Sequence, residues 1–288
     1  MSIPVSNYQL VQLINGSWSV RSLAEGETFH PVVGPVAEAQ SLYVEQLDLV
    51  RRVTAAGGRE FVLWDVGLGA AANTLTVLRA LQAIPDHRVR IISFDHTPTP
   101  LEFALGNAEP LGYFGGYEGP VRQLLDHGRV EFAHGGGWVD WEFLGGDFPT
   151  RLASPSAAAL TCPDAILFDA YSPARNPVMW TLPLFRDLRA RVDPQRPCAM
   201  STYSRATLLR VTLLLAGWWV GAGSATGEKE ETTLAASSLD LVGRPLDATW
   251  LGRALRSRSA EPMVDPVYRQ APLSEETRAL LMQHPQFR

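Results

Sequence analysis

The sequence predicts an α/β fold, an open, doubly wound and mostly parallel sheet, on three observations. Short apolar runs alternate with helix-period segments along most of the chain. One such run, residues 61–64, passes through Asp65 into Gly67 and Gly69 and then into a helical pattern reaching about Ala83. Four successive strand ends carry an acid: Asp65, Asp95, Asp147 and Asp169. In an open sheet of this class ligands bind beyond the carboxyl ends of the strands, so these four acids gather at one edge.

Each element has its own local reason. Residues 9–14 and 17–21 read as a hairpin turned at Asn15-Gly16, a pair suited to two-residue turns, and form an N-terminal β extension. A loop from Glu27 then leads into a helix that Pro35 can open. On it, Glu38 reads as a solvated residue, or with His30 and Gly34 as one of three polar or permissive positions ahead of the glycine turn. Residues 89–95 form a strand, and a helix begins at Leu101 after two prolines. Segments 129–133 and 139–144 flank His134-Gly-Gly-Gly137, which fits a hairpin or an interrupted strand. Residues 164–169 are a buried strand and 179–192 a helix with Pro183 in its first turns. A strand at 199–203, a helix at 206–216 and strands at 218–222 and 231–237 complete the alternation. The expected division is an N-terminal extension and cofactor-covering segment (1–45), a Rossmann-like domain (46–240) and a C-terminal tail (241–288).

Composition bounds the function. Hydrophobic residues at 46% and charged residues at 19% give a globular balance over 288 residues, enough for a large core. The formal charge of -5 provides no global attraction to nucleic acid, so a polyanion partner needs a local basic patch. Two cysteines and six scattered histidines offer no disulfide framework and no metal-ligand spacing. The first residues lack a basic segment followed by an apolar core, and the longest apolar stretch, 211–223, is too short to span a bilayer. A cytoplasmic protein without membrane or metal is the expectation, with a monomer left open. Of 25 basic residues only Lys229 is a lysine, which marks it either as a retained ammonium or as one chance residue on a solvated turn.

Gly67 and Gly69 let the chain turn sharply and approach a ligand closely. An acid ending the second strand, Asp95, can accept both ribose hydroxyls of an adenosine, and one after a later strand, Asp147, can receive an adenine amino group. The 28 residues from Gly67 to Asp95 exceed the roughly 20 of a nicotinamide dinucleotide fingerprint. No nucleophile elbow and no Gly-Lys-Ser phosphate loop exist. The stretch Phe168-Asp-Ala-Tyr-Ser-Pro-Ala-Arg-Asn-Pro-Val-Met-Trp-Thr181 stiffens a loop with Pro173 and Pro177 and presents an acid, hydroxyls and an amide to the expected pocket.

Together these stretches resemble the MnmC-type methyltransferases, which use S-adenosyl-L-methionine to methylate an aminomethyl group on the wobble uridine of certain tRNAs. The resemblance rests on Asp65 to Gly69 with Asn73, Phe94-Asp-His96, residues 124–130, Gly146-Asp147, Asp169 to Trp180, Thr202 to Ser204 with residues 214–218, and Gly227-Glu-Lys-Glu230. Upstream, Glu27, His30, Gly34 and residues 38–43 resemble the stand-alone form, whose length this chain matches. A class I methyltransferase sheet is therefore implied.

So are roles for particular residues. Gly67 and Gly69, flanked by Asp65 and Asn73, would shape the methionine side of the pocket; Asp95, with His96 beside it, would bind the ribose, and Asp147 the adenine. Asp169 would orient the substrate amine and act as the catalytic residue, with Tyr171, Ser172, Pro173 and Lys229 on the substrate side. Glu38 and Tyr43 would close over the cofactor. Three departures stand out: Ala71 where a third glycine is usual, the insertion 134–139, and acids around Lys229 where basic residues are usual. They leave two alternatives beside the tRNA enzyme: a methyltransferase of a small-molecule or protein amine, and a non-catalytic adenosyl- or RNA-binding module.

Overall fold

The computed structural model describes residues 7–226 and 230–288. The chain opens on the expected hairpin, strands β1 (Tyr8–Gln12) and β2 (Trp18–Ser22), with Tyr8 opposite Ser22 and Gln12 opposite Trp18. Its connection is not a two-residue turn but the five residues 13–17, closed by Leu13 N–H donating to Ser17 O at 2.8 Å. The Asn15 side chain explains the longer loop. It accepts from the Ser17 amide (3.1 Å) and hydroxyl (2.7 Å) and donates to Val33 O (2.9 Å), tying the hairpin tip to the next segment.

Helix α1 (Pro35–Ala39) has its proline in the first turn and runs into one π-helical stretch, Gln40–Glu45, before α2 (Leu49–Ala55). The alternating units follow: β3 (Glu60–Val66), α3 (Ala72–Leu81), β4 (Pro85–Asp95), α4 (Thr99–Gly106), α5 (Ala108–Leu111) and α6 (Glu118–His127). Next come β5 (Arg129–His134), β6 (Gly136–Gly145), α7 (Phe148–Ala153), β7 (Ala165–Phe168), α8 (Leu182–Ala190), β8 (Ala199–Thr202) and α9 (Thr207–Leu215). Strands β9 (Trp219–Ala222) and β10 (Thr233–Ala236) precede α10 (Ala248–Ala254) and α11 (Glu275–Met282).

The main sheet has the order β5-β6-β4-β3-β7-β8-β10-β9. Strands β6, β4, β3, β7 and β8 pair in parallel, while β5 on β6 and β10 on both β8 and β9 are antiparallel. From β3 the chain winds outward through β4 to β6, then returns to β3's other side as β7. That reversal opens a crevice at the carboxyl ends of β3 and β7. Successive residues of β3 point to opposite faces: Phe61 and Leu63 join one buried cluster, Val62, Trp64 and Val66 the other. Both faces are covered, which is why this strand reads as an unbroken apolar run.

Two expected segments are resolved differently or more sharply. The helix expected over 179–192 is split: Pro177–Trp180 is a short 3-10 turn, Thr181 is extended, and α8 starts at Leu182 with the Thr181 hydroxyl accepting from Leu184 N–H. Residues 134–137 are the turn of an antiparallel hairpin. A side chain at Gly135, where φ is +53°, would overlap the Gln82 carbonyl, and one at Gly137 would overlap the His87 carbonyl. The glycines thus let the hairpin tip lie on the backbone just before β4 at Gln82 and at the start of β4 at His87. His134 then meets His87 (Nδ1 to Nε2, 2.9 Å) and Tyr117 (Nε2 to hydroxyl, 2.8 Å).

At the amino end of β7 the buried Asp164 carboxylate accepts from Val62 N–H at 2.8 Å, from Arg59 and from Arg196. Arg52 adds a 2.7 Å bond to the Asp164 carbonyl. This clamp fixes the strand whose other end carries Asp169.

Candidate functional site

The carboxyl ends of β3, β4, β6 and β7 surround a cavity of about 620 Å³, the size of sites that hold small organic ligands. After β3 the chain turns through Gly67 (φ +100°) and Gly69 (φ +51°). Gly67 is required by a close approach: a Cβ there would sit 2.6 Å from the Asp169 carbonyl oxygen. The turns after β3 and β7 are therefore in backbone contact, and Asp169 N–H donates to Val66 O at 2.9 Å.

At the end of β4, Asp95 accepts from Gly69 N–H (2.8 Å) and His96 N–H (2.7 Å). Burial raises its pKa, while the amides of Gly69, His96 and Thr97 oppose the rise. Gly146 N–H donates to Asp95 O at 2.9 Å, joining the turn after β6 to that after β4. Asp147 caps α7 by accepting from Thr150 N–H at 2.9 Å and also faces the cavity.

Asp169 sits at the base of the cavity. One carboxylate oxygen accepts from Asn73 Nδ2 at 2.7 Å and lies 3.8 Å from His30 Nε2, whose Nδ1 lies 3.8 Å from Glu38. Burial pushes its pKa up, His30 pulls it down, and Glu38 raises it again; the Asn73 and Tyr43 side chains favour the charged form. On the rim, Ser172 donates its hydroxyl to Glu27 at 2.5 Å and Tyr171 packs beside Phe29, ring centroids 5.8 Å apart. Burial also raises the Tyr171 pKa. The N-terminal segment around residues 27–38 thus covers the pocket from outside the sheet.

Of the residues expected at the site, Glu38, Gly67, Gly69, Asn73, Asp95, His96, Asp147, Asp169, Tyr171 and Ser172 line the cavity. Glu38 is buried, not solvated. Asp65 is a correction: it lies beneath the turn, fully buried, accepting from Thr74 Oγ1 (2.7 Å) and Ser93 Oγ (2.9 Å), outside the cavity wall. Burial pushes its pKa up to about 7. Tyr43 stands behind Asp169 and Pro173 away from the wall. Ala71 does not narrow the pocket. Its methyl joins the core while its backbone takes the left-handed conformation, φ +60°. Lys229 lies outside the described residues.

Glu27, Phe29, His30 and Tyr203 also belong to the wall. For Glu27, His30 and Tyr203 the resemblance is the signal, and for Phe29 only the polar cluster just ahead of Pro35, since the fold-back that brings 27–30 onto the β7 loop is non-local.

Residues 144–238 match the model of a family described as S-adenosyl-L-methionine-dependent methyltransferase. Over 84% of its length the chain is 28% identical to a tRNA 5-methylaminomethyl-2-thiouridine biosynthesis bifunctional protein MnmC from Ectopseudomonas mendocina, covering 37% of that protein. The MnmC of Cupriavidus necator gives 28% over 79% of this chain and 35% of its own. The chain thus spans about a third of the length of these curated relatives. A crystal structure of MNMC2 from Aquifex aeolicus shares the fold, with a TM-score of 0.70 and 22% identity over 97% of this chain and 85% of that one. The chain is thus similar over a third of its length to S-adenosyl-L-methionine-dependent methyltransferases and over most of its length to part of the MnmC proteins, and it shares the fold of the solved MNMC2 structure.

Proposed function

We propose that the chain methylates, from S-adenosyl-L-methionine, the aminomethyl group on the wobble uridine of tRNA. The observation that carries this reading is Asp169: a carboxylate at the base of the cavity, held by Asn73 and in backbone contact with the Gly67 turn. The residues present fit the methyl donor. Gly67 and Gly69 keep the turn free of side chains at the cavity, the buried Oδ1 of Asn73 has no hydrogen-bond partner among the described residues, and Asp95 and Asp147 on the cavity wall would recognise a ribose and an adenine. Bound there, S-adenosyl-L-methionine supplies a methyl group already activated by its sulfonium.

The protein's own task is then to align a neutral amine and to stabilise the charge that builds on nitrogen. Asp169 does both by accepting a hydrogen bond from the amine, which aims the lone pair. Tyr171 and Ser172, fixed by Phe29 and Glu27, shape the acceptor side. RNA binding in this reading is local, with the exposed Arg175 of the cavity wall as one cationic contact. A cytoplasmic monomer belongs to the same proposal; among the described residues no helix is long and apolar enough to cross a membrane.

Asp169→Ala should lose at least ~100-fold in methyl transfer while still binding the donor, because the lost interaction is made chiefly in the transition state. The measurement is transfer of labelled methyl to tRNA carrying aminomethyl-uridine, with donor binding by calorimetry. Full turnover by the variant would sink the assignment.

A further inference from the structure

The acceptor in the proposed reaction poses a problem that Asp169 cannot solve alone. An aminomethyl group is an ammonium ion at neutral pH, and only its neutral form has a lone pair for the methyl carbon. If Asp169 takes the proton and keeps it, the carboxylate is no longer an anion when positive charge builds on nitrogen. A second group must take that proton on.

His30 stands in the required place. Its Nε2 is 3.8 Å from the Asp169 carboxylate, its Nδ1 is 3.8 Å from Glu38, and only 9% of its side chain is exposed. It is one of four non-glycine residues in the described chain with positive φ (+48°), a conformation imposed by its surroundings. The titratable groups around the line are few. Glu38 faces it from α1 and Asp169 from the loop after β7. Tyr43 from the π-helical stretch and Tyr203 from the end of β8 face the two carboxylates, Glu27 lies on His30's own segment, and Asp65 lies beneath Tyr43.

Resting on the proposed methyl transfer, we infer that His30 is the proton-relay residue of this site, positioned between Asp169 and Glu38 and acting through Asp169. The substrate ammonium gives its proton to the Asp169 carboxylate, which passes it across the 3.8 Å gap, through one bridging water, to His30 in its neutral form. The imidazolium so formed is held between two carboxylates, and Asp169 is again an anion. The freed nitrogen lone pair then forms the N–C bond to the methyl as the C–S bond breaks. Its electron pair stays on sulfur, leaving a neutral thioether and a cationic secondary amine beside Asp169. The proton on His30 then leaves to solvent, to which 9% of the side chain is exposed.

The test is the pH profile of methyl transfer to tRNA carrying aminomethyl-uridine, for the wild type, His30→Asn and His30→Gly. Asparagine and glycine both accept a left-handed backbone, so the loop keeps its path; binding of S-adenosyl-L-homocysteine checks the fold. Near pH 7, kcat/KM of both variants should fall by about 100-fold, the lower range for a lost acid-base group. The loss should shrink to a few-fold above the amine's own pKa, moving the acid limb of the profile up by about one unit or more. Added imidazole should restore His30→Gly. Losses equal at every pH without imidazole rescue, or variants as active as the wild type, overturn the relay and leave the function standing. A wild type inactive on this tRNA but active on another amine would overturn the function instead, and with it the relay's substrate.

Discussion

The two ends of β7 carry the same side chain in opposite circumstances. Asp164, before the strand, is held by two arginines and a backbone amide. Asp169, after it, has an amide side chain, a histidine and two tyrosines for neighbours, and a second carboxylate close by. Four residues of strand separate a carboxylate whose charge is fully met from one whose charge is left short of partners. Buried charge that is fully paired serves stability, while buried charge short of partners is available to a ligand.

That contrast can be broken experimentally, the largest effect first. Asp169→Ala should abolish most transfer yet leave the urea midpoint unmoved or raised, because it removes a carboxylate that burial disfavours. A large fall in the midpoint would show Asp169 to be structural. Asp164→Ala should do the reverse, costing about 3 kcal/mol by leaving its arginines unpaired, while the folded fraction keeps its transfer rate. Urea titration followed by an assay below the transition separates the two quantities.

A third aspartate sharpens the comparison through pH. The folded pKa of Asp65 is raised to about 7, against about 3.9 unfolded. Between these values the folded chain holds a proton that the unfolded chain has lost, so Asp65 makes stability decline as pH rises from about 4 to 7. His134 acts in the opposite sense. Burial depresses its pKa to about 4, so stability is lost as pH falls from about 6.5 toward that value. Asp65→Asn should therefore flatten the decline in urea midpoint between about pH 4 and 7, and a parallel profile would mean that the carboxyl does not titrate there.

The smallest effect belongs to Ala71→Gly. Relief of the left-handed alanine, about 1 kcal/mol, is offset by the freer unfolded chain and by the lost buried methyl. Stability should change by less than about 1 kcal/mol in either direction, and donor affinity should not change, because the methyl faces the core. A gain in donor affinity by calorimetry would return Ala71 to the pocket wall.

What could be read from the chain follows the range of the interactions. The strand-glycine turn, the acids Asp95, Asp147 and Asp169 and the proline-stiffened loop after Phe168 are local patterns, and each reaches the cavity. Asp65 was misplaced because the period of a strand says which residues share a face, not which stops short of the rim. Glu38 read locally as a solvated helix residue, and only the resemblance put it at the pocket, because its burial comes from a non-local fold-back. His30 was visible as a polar loop residue and through the resemblance, but its meeting with Asp169 spans 139 positions that no local pattern connects. The glycines at 135 and 137 looked like an irregular insertion because their reason lies in the backbone at Gln82 and His87.

The contact between Gly67 and the Asp169 backbone has a practical consequence for redesign. In the proposed reaction the donor cradle and the amine-aligning carboxylate would form one rigid seat, since a Cβ at Gly67 would not fit between their two turns. Shifting Asp169 to admit a bulkier acceptor would therefore disturb the donor cradle as well. The cover of residues 27–38 belongs to a different element and reaches the seat through side chains alone, at Ser172, Tyr171 and His30. Grafting this cover from one relative onto another is accordingly the exchange that should retarget the acceptor while leaving donor affinity intact.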